Sequence, residues 1–177
     1  MKIFLSLMCF CILGCTSNVG RIKGVYNSRK DILFLFLNKS IFRDRDGHTI
    51  FVYTYNTNNQ RNQYVFDRRD GELFLFRDSI SFAPDSILMI ENNRENKNYV
   101  PQLKELVKSL LSKMDSLHIT DVSSDFIKKG VSLKIYLKGE GVIVYAPNME
   151  DVKGVEWRKY IESMKKLDDF WYYSVEE

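Results

Sequence analysis

A chain of 177 residues carries 26 Lys and Arg against 23 Asp and Glu, a net charge of +3. So small an excess excludes a partner held mainly by charge, such as bulk nucleic acid. The three cysteines, Cys9, Cys11 and Cys15, all lie in the first fifteen residues. The rest of the chain therefore has no thiols for a disulfide framework, a CxxC pair or a thiolate zinc site.

The chain opens MKIFLSLMCFCILGC. Lys2 supplies one positive charge, and residues 3–13 are nearly all apolar. Eleven helical residues span roughly 16 Å, about half of a bilayer core. A charged start, a short apolar stretch and a small residue before the cut fit a secretory signal peptide over residues 1–14.

Ile12-Leu13-Gly14-Cys15 resembles the lipobox of bacterial lipoproteins. In that family an aliphatic residue stands three before the cut, and a small residue stands just before it. Leu13 departs from the pattern, which usually has a smaller residue there. The resemblance implies cleavage between Gly14 and Cys15 and a diacylglycerol on the Cys15 thiol. Membrane lipid, through acylated Cys15, is then the first partner. Residues 15–23 become a lipidated N-terminus and tether, and Cys9 and Cys11 are apolar packing in the signal peptide. Thr16 is not the aspartate that often retains such proteins at the inner membrane. The expected location is the cell envelope, with the outer membrane favoured over the inner, and nucleic acid is not an expected partner.

Residues 24–177 have the length of one ordinary domain. Up to residue 90 the pattern predicts an antiparallel meander, with apolar runs at 32–37, 50–55, 64–66, 73–76 and 87–90. Asp46-Gly47 and Asp70-Gly71 stand between such runs as two copies of one hairpin signal. Gly24-Val25-Tyr26, an apolar run and Phe42 resemble the opening of small lipocalin-like lipoprotein domains.

The later half alternates helix and strand. Pro101 suits a first helical turn, and Leu103, Leu106, Val107, Leu110, Leu111, Met114 and Leu117 form one helical stripe. Residues 131–137 alternate as a half-buried strand, and 142–145 follow after a Gly139/Gly141 turn. A second helix over 155–167 groups Trp157, Tyr160, Ile161 and Met164, and residues 170–175 predict a last strand. The fold class is α+β: a mostly antiparallel sheet with two amphipathic helices in the C-terminal half, expected on one face.

No motif selects a catalyst. The only histidines are His48 and His118, and no G-x-S-x-G elbow accompanies them. Asp67, Asp70, Glu72, Asp78 and Asp85 offer carboxylates whose spacing selects no pair. Neither a metal site nor a phosphate loop is expected, nor a cofactor. Phe170-Trp171-Tyr172-Tyr173 places four rings in a row, so on a strand Trp171 and Tyr173 share one face. They are the candidate binding surface. The expected role is a membrane-anchored extracytoplasmic module that binds an envelope protein or glycan and is not an enzyme. The alternative is an extracytoplasmic hydrolase with unidentified carboxylates.

Replacing the attachment point tests the lipobox reading. Cys15→Ser should leave the protein unprocessed or release it from membranes. Unchanged fractionation, with no acyl mass on the wild-type N-terminal peptide, refutes it.

Overall fold

The computed structural model describes residues 18–58, 60–82, 99–139 and 141–175. The predicted signal peptide, Gly14, Cys15, Asp85 and the predicted strand at 87–90 lie outside the described residues. The elements are α1 (Asn18–Asn27), α2 (Arg29–Phe36), β1 (Lys39–Arg43), β2 (Thr49–Tyr55), β3 (Arg61–Arg69), β4 (Glu72–Ser79) and α3 (Val100–Ser116). Then come β5 (Ile119–Ser123), β6 (Leu133–Leu137), β7 (Gly141–Tyr145), α4 (Val155–Glu162), β8 (Lys165–Lys166) and β9 (Trp171–Val175).

One nine-stranded sheet runs β4-β3-β2-β1-β5-β6-β7-β9-β8, antiparallel at every pairing. This is the expected α+β architecture, with its opening meander and two later helices. At the β3–β4 hairpin Asp70 and Gly71 have φ of 51° and 82°. Positive φ at both central residues is what a tight two-residue hairpin needs, and Asp-Gly adopts it cheaply. A bulge between Val65 and Phe66 offsets β3 against β4, which bends the strand and strengthens its twist.

The beginning of the body differs from the sequence reading. The segment 18–23, expected as tether, is the first part of α1, where Ile22 and Val25 are buried. The run at 32–37 is not a strand: most of it forms α2, with Ile32 and Phe36 buried one turn apart and Phe34 exposed. A short, wholly apolar run fits a buried strand or a buried helix equally, and here packing against the sheet decides. Gly24-Val25-Tyr26 is helical too, which removes the basis of the lipocalin-like resemblance.

The inner face of the sheet is covered by α1, α2 and α3. On α3, Leu103, Val107, Leu110, Leu111 and Met114 are buried. They join Ile41, Val52, Tyr64, Phe66, Val122, Ile135 and Ile143 in the main core. Each such side chain contributes roughly 1.5–3 kcal/mol by leaving water.

The two later helices do not share a face. Ile161 on α4 and the following Met164 pack with Val142, Val144 and Tyr172 in a second cluster. Adjacent strand residues point to opposite faces. With Ile143 in the first core, its neighbours Val142 and Val144 face the other way and need their own cover.

At one end of the inner face stands a polar row. Lys39 pairs with Thr54, and Thr54 with Asn62, across β1, β2 and β3. Asn62 is satisfied: its Oδ1 accepts from the Ser81 and Phe82 N–H at 2.6 and 3.1 Å, and its Nδ2 donates to the Phe82 carbonyl at 2.9 Å. Lys39 is 4% exposed, and burial pushes its amine from 10.5 down to about 8.

Between pH 8 and 10.5 the unfolded chain holds a proton here that the folded chain has shed. Stability therefore rises with pH across that window. Below it, the full cost of burying the charge is present, about 3 kcal/mol for such a shift. Lys39→Met should be more stable than wild type at pH 7, with the gap closing towards pH 10.5. Urea melts across that range check it; a gap independent of pH refutes it.

Candidate functional site

The outer face of the sheet is covered over only part of its width. Over β6, β7 and β9, α4 closes it: Trp157 packs on Phe126 at 4.6 Å between ring centroids and edge-on to Tyr160 at 5.7 Å. Below them the Lys134 ammonium lies 4.9 Å from the Tyr136 ring, 5.7 Å from Trp157 and 5.0 Å from Tyr160. Three ring faces around one cation pin helix to sheet.

Over β1 to β4 no described element lies on that face. Phe42, Phe51 and Tyr53 are half-buried, and Phe76 beside the bulge is 77% exposed. Phe42 meets Tyr53 edge-on at 6.0 Å. The Arg61 guanidinium lies over the Tyr53 ring at 5.0 Å. A groove of about 420 Å³ runs along this surface, with Phe51, Val65 and Phe76 supplying apolar wall and Arg69 and Arg77 its charge. Asp67 pairs with Arg69 at 2.5 Å. Strand alternation puts these residues together: Phe51 stands opposite Val65, and Val65 opposite Arg77.

A second, larger cleft of about 630 Å³ opens at the end of the sheet that carries the β1–β2 and β6–β7 turns. Asp44, Asp46, Asp115, Asp121 and His118 line it with Arg43, Arg45 and Lys138. Several of these charges are already engaged. Arg43 bonds Asp115 at 2.7 Å through its guanidinium, and its backbone N–H donates to Asp121 at 3.2 Å. Burial works to raise the Asp44 carboxyl, but hydrogen bonds from Thr49, His48 and Gly47 outweigh it and hold the group below the usual range. That direction suits a fixed anion and not a proton donor.

The residues singled out in the sequence fall elsewhere. Trp171 is 2% exposed and packs on Tyr145 at 4.9 Å inside the main core. Tyr173, on the same face, is half-buried against that core. The pair is thus not an open binding surface, because α1, α2 and α3 cover the face it occupies. Tyr172 points the other way and is closed in by the α4 cluster. Phe170 is the half-exposed ring of the four.

His118 lines the cleft, whereas His48 is exposed on the β1–β2 turn. Of the candidate carboxylates, Asp67 pairs with Arg69, Glu72 with Lys108 at 3.1 Å, and Asp78 accepts from the Tyr99 hydroxyl. Among the described residues no three potential metal ligands converge, and no helix is long and apolar enough to cross a membrane.

Neither open surface was selected in the sequence. The rings of β2 were visible in residues 49–55, but the run is apolar on both faces, so alternation could not say which rings are uncovered. The cleft joins residues some 95 positions apart, from Arg43 to Lys138, and no local motif marks it. The chain matches no known family model, no curated protein and no solved structure.

Since Trp171 is core, Trp171→Ala should cost about 3–5 kcal/mol of stability. Chemical denaturation checks it, and a loss under about 1 kcal/mol refutes the core assignment.

Proposed function

We propose that this chain is a membrane-anchored lipoprotein of the cell envelope, held by an acylated Cys15, whose body binds a partner through the open outer face of β1 to β4. The single observation that carries the binding role is the unequal cover of the sheet. Among the described residues, helices cover the inner face and α4 part of the outer face, and no helix lies over the rest, where Phe42, Phe51 and Tyr53 stay half-buried and Phe76 is exposed. Apolar and aromatic surface left open in this way costs free energy unless something covers it. The exposed groups are rings interleaved with arginines, the residue types enriched where proteins bind partners.

The anchor rests on the lipobox-like ILGC and the short apolar run before it. Binding has more support than hydrolysis from the second cleft, because Asp115 and Asp121 there are tied to Arg43 and Asp44 is held as an anion. A carboxylate hydrolase of the glycosidase kind needs one carboxyl kept protonated against its neighbours. The partner chemistry that fits the open face is an envelope protein or glycan with flat apolar surface and some negative charge.

Photo-crosslinking in native membranes tests the reading. A crosslinker at Phe51 or Phe76 should capture one discrete species that the same group at Glu105, on the outer side of α3, does not. Phe51→Asp should abolish capture from position 76 without lowering the melting temperature. Equal capture at all three positions, or none at the two sheet positions, refutes the binding face.

A further inference from the structure

We propose that the open outer face of β1 to β4 takes one acidic, amphipathic α-helix of a partner protein, lying across the strands. This rests on the reading of that face as the binding surface, and names the class of partner.

The row that the strand registers build is the first observation. Phe42 on β1 stands opposite Phe51 on β2, Phe51 opposite Val65 on β3, and Val65 opposite Arg77 on β4. Three apolar side chains therefore sit side by side across the sheet, with a guanidinium at the β4 end. The rows on either side are more polar. One is Ser40, Tyr53, Gln63 and Ser79, and the other sets Thr49, Asp67 and Phe74 together. The apolar stripe thus runs across the strands and not along them.

Neighbouring strands lie about 4.8 Å apart, so Phe42 to Val65 covers about 10 Å. A helix rises about 10.5 Å over seven residues. Anchors at i, i+3 or i+4, and i+7 are those by which an amphipathic helix enters a groove, and they meet this row one strand at a time. The groove lies at the β3 end of the row, lined by Phe51, buried Val65 and exposed Phe76. Elsewhere the sheet already takes helices as cover, α1 to α3 inside and α4 outside.

The charge around the row is the second observation. Asp67 neutralises Arg69. Arg61 and Arg77 are exposed and form no ion pair among the described residues. Arg77 closes the β4 end of the row. The Arg61 guanidinium reaches back over Tyr53, the next outward residue after Phe51 on β2. Carboxylates on the partner helix are matched at two places: its end over β4 and its flank towards the β2–β3 turn. A second copy of the chain does not supply them, because a two-fold contact sets one positive patch against the same patch. A sugar chain carries hydroxyls all round, and those over Phe42, Phe51 and Val65 would be buried without hydrogen bonds.

The test uses the full chain in native membranes, with a photo-crosslinker at Phe42 or at Phe76. Mass spectrometry places each adduct on the captured chain. From β1 to β4 is about 14 Å, which a helix covers in about ten residues and an extended chain in about four. The two adducts should lie about ten residues apart, with Asp or Glu beside the one from position 76. Arg61→Glu with Arg77→Glu should lower capture from position 42 about tenfold. Arg61→Lys with Arg77→Lys should keep it, and neither pair should lower the melting temperature.

Adducts about four residues apart overturn the helix and leave the binding face standing. A captured species that resists protease and is cleaved by periodate does the same, and makes the occupant a glycan. An adduct joining two copies of this chain overturns the separate partner. Capture unchanged by the charge reversal overturns its acidic character. Absence of capture at both positions overturns the binding face, and the helix with it.

Discussion

The crossing of α3 over the inner face is the constraint on which the rest depends. The first meander ends at β4, on the outer edge of the sheet, while β5 pairs with β1 in its middle. The chain must travel back across three strands before it can continue. A single helix does this, and its stripe of Leu103, Val107, Leu110 and Met114 is buried over the strands it passes. The β1–β5 pairing itself is thin, with Ile41 opposite Val122 as its bridge. The two halves are therefore held together less by backbone hydrogen bonds than by the helix spanning them, and by α1 and α2 beside it. Arg43 to Asp115, Lys108 to Glu72 and Lys113 to Asp31 tie α3 to its surroundings. These pairs are largely solvent-exposed and fix orientation more than they add stability.

That arrangement sets what is left open. A helix layer on one face satisfies the inward residues of all the long strands, but does nothing for the outward ones. In the second half the outward residues include Val142, Val144, Tyr136 and Tyr172, and α4 closes over them. In the first half they include Phe42, Phe51, Tyr53, Gln63, Val65 and Arg77, and no described element closes over them. The sheet edges are guarded in different ways: β8 is two residues long and both are lysines, and the longer β4 carries a bulge. Each discourages pairing edge to edge, which supports the open face over an edge as the proposed contact surface.

The sequence made long-period signals legible and left short apolar runs ambiguous. The α3 stripe extends over more than four turns, so its period is unmistakable, and its boundaries follow Pro101 and the Leu117-His118 turn. The Asp-Gly hairpins were legible because their glycines, Gly47 and Gly71, meet a positive-φ demand, which Asp70 also meets in the second hairpin. By contrast, residues 32–37 offer six apolar side chains and no period at all. Strand β1, KSIFR, carries only two strong apolar residues and was hidden by its polar neighbours. Placing α4 on the outer face was out of reach, since an amphipathic stripe states that a face is buried but not against which side of a sheet. The same limit misplaced Trp171: strand alternation paired it correctly with Tyr173, but only the position of α1, α2 and α3 reveals that this face is the core.

The direction of the strands also orders the charge on the open face, which runs from the β1–β2 turn to the β2–β3 turn. Arg69 lies near the first of these turns, Arg77 midway and Arg61 near the second, as the pairing of β3 with β2 and β4 requires. Asp67 neutralises Arg69 at the first height, which leaves Arg77 and Arg61 as the positive groups along the face. A partner of the kind proposed then gains most by placing its negative charge over the middle of the face and the β2–β3 end, with apolar surface against Phe51 and Val65.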